Sequence, residues 1–131
     1  MLYKLFKDKK LSALGFGTMR LPLDQEGKID VEHTARMLDY ALSNGINYID
    51  TAWKYHGGDA ETVLGQILSR YPRDSYYLAD KFPGFDLSLF HRMDEIFFTQ
   101  LHKCQTEYFD FYLLHALGKN NVGKNQSIFP A

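Results

Sequence analysis

The sequence predicts an α/β protein in which three strand–helix repeats and a fourth strand form a parallel sheet. Short apolar runs alternate with segments whose apolar residues recur every three or four positions. The apolar runs lack the polar alternation of a half-solvated strand, which is typical of parallel strands covered on both faces. The 131 residues, 45% hydrophobic and 24% charged, suffice for one domain with its own core.

The first elements are a short hairpin, a strand and a helix. Apolar residues flank the basic segment Lys7–Lys10, a pattern that favours a β-hairpin, and Ala13–Gly17 predicts a buried strand. Asp30 is a candidate N-cap for a helix with His33 at its third position, and Asn44-Gly45 is a candidate end. One apolar helix face is formed by Val31, Ala35, Leu38 and Leu42.

Two more strand–helix units and a last strand follow. Asp59 is a candidate cap for a helix that ends before Tyr71-Pro72, and a third helix face runs from Leu89 to Cys104. We expect Phe97 and Phe98 in that helix to be core residues. The remaining strands are predicted at Ile46–Ile49, Tyr76–Phe82 and Phe109–Leu114.

Charge and composition argue against several function classes. The net charge of −1 gives no attraction to nucleic acid or anionic lipid. There is no apolar run of 18 residues and no signal-peptide pattern at the N-terminus, so we expect no membrane anchor. A single cysteine, Cys104, fits a reducing cytoplasm. The histidines show no ligand spacing, so no metal site is expected.

Polar residues mark the carboxyl ends of three predicted strands. Asp50 ends the second strand, Lys81 lies near the end of the third, and His115 ends the fourth, with Tyr55 in the loop after Asp50. Active sites of parallel α/β proteins collect at this end of the sheet. Each residue alone has an ordinary structural explanation, but the four together favour a shared site.

A lysine beside a tyrosine favours proton donation to a carbonyl oxygen. An ammonium about 4 Å from a phenolate stabilises it by roughly 4 kcal/mol at an effective dielectric constant of 20. Asp50 would hold Lys81 in place, and His115 would hydrogen-bond the substrate carbonyl. Such a site donates the proton of a reduction, while the hydride comes from a cofactor.

Four motifs in order resemble those of the aldo-keto reductase family, whose fold is a TIM barrel. They are Gly15–Pro22, Gly45–Tyr55 with its Asp-Thr-Ala-x-x-Tyr core, Ala79–Phe82 and Asp110–His115. The Gly15-x-Gly17 pair is not a dinucleotide fingerprint of the Rossmann type, because Arg20 stands where the third glycine would be.

The resemblance implies roles for the candidate residues. Tyr55 would be the general acid and base, supported by Asp50, Lys81 and His115. The family uses NADP(H) to interconvert carbonyls and alcohols. Beside its nicotinamide and ribose would lie Gly17, Thr18, Met19 and Asp50.

The resemblance covers residues 1–117, about half a barrel with four strands and three helices, and 118–131 is predicted to be an irregular tail. Most family contacts to the cofactor's phosphates and adenosine belong to the other half. The Tyr55–Gly58 segment, followed by Glu61, Leu64 and Gly65, is also similar to a subgroup that often carries a C-terminal iron–sulfur segment. Cys104 alone cannot hold such a cluster.

The sequence leaves three interpretations open. The chain is a truncated reductase, a half-barrel completed by itself or by a partner, or a non-catalytic interaction module. An open parallel sheet exposes edges and an inner face, so we expect self-association. The sequence does not identify the substrate.

Overall fold

The N-terminus forms the predicted hairpin. In a computed structural model that describes residues 1–118, strand β1 (Tyr3–Phe6) pairs antiparallel with β2 (Lys9–Ser12). Lys7 makes the turn with a left-handed backbone, φ 52°. The Asn47 side chain accepts from the Ser12 amide at 2.8 Å and donates to the Lys10 carbonyl at 2.9 Å, which ties the hairpin to the sheet.

The main sheet has four parallel strands, as predicted. They lie in the order β3-β4-β5-β6, so each strand pairs with the next one along the chain. All four are shorter than the apolar runs that predicted them. Their bounds are β3 Phe16–Gly17, β4 Tyr48–Asp50, β5 Tyr77–Phe82 and β6 Phe111–Leu114.

Three helices connect the strands and cover the outer face of the sheet. They are α1 (Val31–Ser43), α2 (Asp59–Leu68) and α3 (Met93–Lys103). The predicted start of α1 is confirmed, since the Asp30 carboxylate accepts the His33 amide at 2.8 Å. Its predicted end is also confirmed by Asn44 at the C-cap and by Gly45, whose φ of 90° is left-handed.

Two predicted helix starts were wrong. Asp59 is the first residue of α2 and not its cap, because the left-handed Gly58, φ 102°, turns the chain into the helix. Helix α3 begins at Met93 and not near Leu89. Residues Leu87–Arg92 form a 3₁₀ turn instead, which starts where the Asp86 carboxylate accepts the Ser88 amide at 3.1 Å.

The prediction that Phe98 is a core residue was also wrong, since 67% of its surface is exposed. Helix α3 turns Ile96 and Gln100, four positions apart, toward the sheet. Phe98 is two positions, about 200°, from Ile96 and therefore faces away from the sheet.

The hydrophobic core lies between the sheet and the helices. Fully buried side chains from α1, β4, α2 and β5 fill this layer, among them Leu38, Ile49, Leu64, Ile67 and Leu78. Strand β6 is less buried than its apolar sequence predicts, and Leu113 is 42% exposed. Within residues 1–118, β6 is an outer strand and pairs only with β5.

No helix within the described residues 1–118 is long and apolar enough to cross a lipid bilayer. The predicted irregular tail, 118–131, lies outside the described residues except for Gly118.

Candidate active site

The register of the parallel strands brings the candidate residues to one edge of the sheet. Gly17 of β3 lies opposite Asp50 of β4, and Asp50 lies opposite Ala79 of β5. Lys81 of β5 lies opposite Leu113 of β6, two residues before His115. All of these strands run in the same direction, so their carboxyl ends meet at one rim.

The Lys81 ammonium is the centre of the site. It donates to Oδ1 of Asp50 at 2.5 Å, to the carbonyl oxygen of Thr51 at 2.7 Å and to the hydroxyl oxygen of Tyr55 at 3.3 Å. These contacts use all three of its donor directions. Because the Tyr55 oxygen accepts from Lys81, its own proton remains available for another acceptor.

His115 stands beside Tyr55 with an edge-to-face contact. Their ring centroids are 5.6 Å apart, and Phe85 contacts the imidazole at the same distance. The backbone amide of His115 donates to the Phe82 carbonyl at 2.8 Å, which fixes the chain after β6. The buried Nδ1 atom of His115 has no hydrogen-bond partner among the described residues.

The surroundings of His115 favour its neutral imidazole form. Burial lowers its pKa below the ordinary value of 6.5, and the Lys81 charge lowers it further, while Asp50 acts in the opposite direction. A neutral imidazole has one N–H, which can donate a hydrogen bond to a carbonyl oxygen.

The last residue of β3 and the two residues after it are the three residues expected near the nicotinamide, Gly17, Thr18 and Met19. The amide and hydroxyl of the buried Thr18 both donate to the Asp50 carbonyl at 3.0 Å, so this hydroxyl is used internally. Met19 is 59% exposed, and a side chain at Gly17 would meet no atom within 4 Å. A cavity of about 580 Å³ on the inner face is lined by Gly17, Asp50 and Phe111, among others.

Sequence reasoning missed a buried polar cluster behind β5. Gln100 of α3 donates to Oε1 of Glu61 at 2.7 Å and to the Lys81 carbonyl at 3.1 Å. Lys103 donates to the other Glu61 oxygen at 2.5 Å. This cluster holds the backbone of Lys81 from the helix side while its side chain reaches into the site.

Asp80, next to this cluster, is fully buried and forms no salt bridge within residues 1–118. Burial raises its pKa to about 9, and the charge of Glu61 acts in the same direction. This pKa favours the protonated form of Asp80 at neutral pH. One signal in the sequence pointed to it: adjacent strand residues face opposite sides, so Asp80 and Lys81 cannot share one environment.

Comparison with known proteins places these observations in context. The model of the aldo/keto reductase family matches residues 13–126. The probable aldo-keto reductase 1 of Glycine max is 30% identical over 114 residues, covering 81% of this chain and 33% of that protein. The aldo-keto reductase YhdN of Bacillus subtilis is 31% identical over 112 residues, covering 79% of this chain and 34% of that protein.

Solved structures agree with the fold. The Klebsiella pneumoniae aldo-keto reductase in complex with NADPH superposes with a TM-score of 0.70 at 29% identity, covering 91% of this chain and 41% of that one. The holo form of the Bacillus halodurans aldo-keto reductase AKR11C1 superposes with a TM-score of 0.72 at 29% identity, covering 89% of this chain and 40% of that one. The predicted fold, part of a (β/α) barrel, is confirmed. The chain spans about a third of the length of the curated relatives it matches.

Proposed function

Because this chain belongs to the aldo/keto reductase family, we propose that it reduces an aldehyde or ketone with NADPH and that Tyr55 donates the proton. The observation that carries this proposal is the Lys81 ammonium, which contacts both the Asp50 carboxylate and the Tyr55 hydroxyl. The choice of NADP(H) is supported by the Klebsiella pneumoniae structures, which are complexes with NADPH and with NADP.

The residues at the rim fit the nicotinamide end of such a cofactor. Open space beside Gly17 and the exposed Met19 leave room for a flat ring at the end of β3. When bound, NADPH supplies the hydride.

The side chains then divide the proton chemistry among them. Tyr55 and His115 donate hydrogen bonds to the carbonyl oxygen of the substrate, which positions and polarises it. As that oxygen gains negative charge, Tyr55 transfers its proton to it and becomes a phenolate. Lys81 stabilises the phenolate, and Asp50 keeps the ammonium in place.

The distance gives the size of this stabilisation. An ammonium 3.3 Å from the Tyr55 oxygen attracts a phenolate by about 5 kcal/mol at an effective dielectric constant of about 20. Desolvation opposes part of this energy. The Lys81 contact supports the choice of Tyr55 over the other tyrosines, none of which has a lysine hydrogen bond within residues 1–118.

Replacing Tyr55 by Phe tests the assignment. We expect turnover with NADPH and simple aldehydes to fall by roughly 10²–10⁴ while KM changes little, because proton donation acts mainly in the transition state. Tyr40→Phe is the matched control, since Tyr40 lies exposed on α1. Comparable turnover in Tyr55→Phe and Tyr40→Phe would exclude Tyr55 as the donor.

A second candidate function is an interaction module that associates with itself or with a partner that completes the barrel. It is favoured by the partly exposed apolar residues Phe6 and Leu113, which lie on the hairpin and on the outer strand β6. Sedimentation velocity at micromolar concentration should show association. A compact monomer would contradict it.

We also propose a cytoplasmic location. It is supported by Cys104, which is buried as a free thiol and forms no disulfide.

A further inference from the structure

The turn that follows Tyr55 has an unusual backbone. His56, Gly57 and Gly58 are three consecutive left-handed residues, with φ of 52°, 65° and 102°. Glycine adopts this conformation freely, but histidine does so at a cost. A strained residue beside a catalytic candidate needs an interaction that holds it there.

The His56 side chain makes such an interaction. Its Nε2 atom accepts a hydrogen bond from the backbone amide of Leu21 at 2.9 Å. Leu21 is buried, so its amide would otherwise lack a water partner. To accept at Nε2, the imidazole must be neutral and carry its proton on Nδ1.

This bond completes the attachment of the segment Thr18–Leu21. The first residue, Thr18, is held by two hydrogen bonds to the Asp50 carbonyl, and the last residue is held by His56. Both anchors belong to the chain that carries Tyr55, one on each side of it. The exposed Met19 lies between the two anchors.

We propose that His56 is a positioning residue that locks the segment Thr18–Leu21 against the turn carrying Tyr55. The His56–Leu21 hydrogen bond fixes the segment Thr18–Leu21, which would lie beside the nicotinamide, relative to Tyr55. It thereby sets the affinity for the cofactor. The effect on cofactor affinity rests on the proposed function, whereas the attachment of Thr18–Leu21 by His56 is a property of the protein without ligand.

Two substitutions at His56 separate the hydrogen bond from the backbone strain. In His56→Gln, the side-chain oxygen can reach the position of Nε2 and accept from Leu21. In His56→Asn, the backbone conformation is better tolerated, but the side chain is one atom shorter and does not reach. If backbone strain dominates, His56→Asn should disturb the protein less than His56→Gln. If the hydrogen bond dominates, His56→Gln should disturb it less.

NMR on the 131-residue chain tests the lock directly. We expect a through-hydrogen-bond nitrogen–nitrogen coupling between the Leu21 amide and His56 Nε2. His56→Asn should speed amide exchange at Leu21 by roughly tenfold or more, as for the loss of one hydrogen bond, and His56→Gln should stay within threefold of wild type. Absence of the coupling, or equal exchange in the two variants, would overturn the proposal.

Titration with NADP⁺ tests the effect on cofactor binding. We expect His56→Asn to weaken binding roughly tenfold and His56→Gln less than threefold. Equal affinity of the two variants would overturn the role in cofactor binding. If the wild-type chain binds no NADP⁺, the proposed function fails, while the coupling and exchange rates still decide whether His56 locks the segment.

Discussion

Replacing Asp80 by Asn is expected to flatten the pH dependence of folding stability between about pH 5 and pH 8. Asp80 is fully buried behind β5, where its Oδ1 accepts the Lys81 amide at 2.7 Å. Burial and the nearby charge of Glu61 raise its pKa from 3.8 in the unfolded chain to about 9. Asn has the shape and hydrogen-bonding pattern of the protonated carboxyl group, but it has no proton to lose.

The sign follows from proton binding in the two states. Between about pH 4 and pH 9 the folded protein holds a proton that the unfolded chain releases, so the free energy of unfolding falls as pH rises. One proton corresponds to a slope of at most about 1.4 kcal/mol per pH unit. Asp80→Asn should therefore gain stability over wild type steadily toward pH 8.

Urea denaturation followed by circular dichroism at pH 5, 6, 7 and 8 measures this difference. Asp8→Asn is the control, because the Asp8 side chain is 82% exposed and should not change the slope. The refuting result is a stability difference between wild type and Asp80→Asn that stays constant across this range. It would mean that Asp80 takes up no extra proton on folding.

Two further predictions concern the site and the helix packing. The His115 pKa measured by NMR should lie below 6.5. As pH falls, the unfolded chain therefore takes up this proton before the folded protein does, and the contribution of His115 to stability is lost below about pH 6.5. A pKa above 6.5 would contradict the assigned environment. Gly65→Ala should lower the free energy of unfolding by about 1–3 kcal/mol or more, because its Cβ would lie 2.3 Å from the Lys103 carbonyl oxygen. Gly17→Ala, with no atom within 4 Å of the added carbon, is the control, and equal urea midpoints for both variants would disprove the close contact of α2 and α3.

The order of elements and the family could be predicted from the sequence. Apolar periodicity gave the hairpin, the four strands and the three helices, and the four motifs gave a family that the comparison confirms. The clustering of Asp50, Tyr55, Lys81 and His115 was predictable because parallel strands place their carboxyl ends at one rim. The chemical roles of these residues stay predictions until variants are measured.

The remaining features depend on three-dimensional placement that no local pattern encodes. The contact between Gln100 and the Lys81 carbonyl requires the docking of α3 on β5, and the Glu61–Lys103 pair requires that of α2 on α3. The role of His56 depends on a backbone angle and on a partner 35 residues away. Such contacts follow from tertiary packing, so sequence periodicity could not reveal them.

The most direct test of the account is deuterium transfer from NADPH labelled with deuterium at C4 of the nicotinamide to a simple aldehyde, catalysed by the 131-residue chain. Mass spectrometry of the alcohol reports the label. We expect one deuterium on the carbinol carbon with the wild-type chain and a much smaller yield with Tyr55→Phe. Absence of label above the protein-free reaction would contradict the claim that residues Asp50, Tyr55, Lys81 and His115 of this chain form a carbonyl-reducing site.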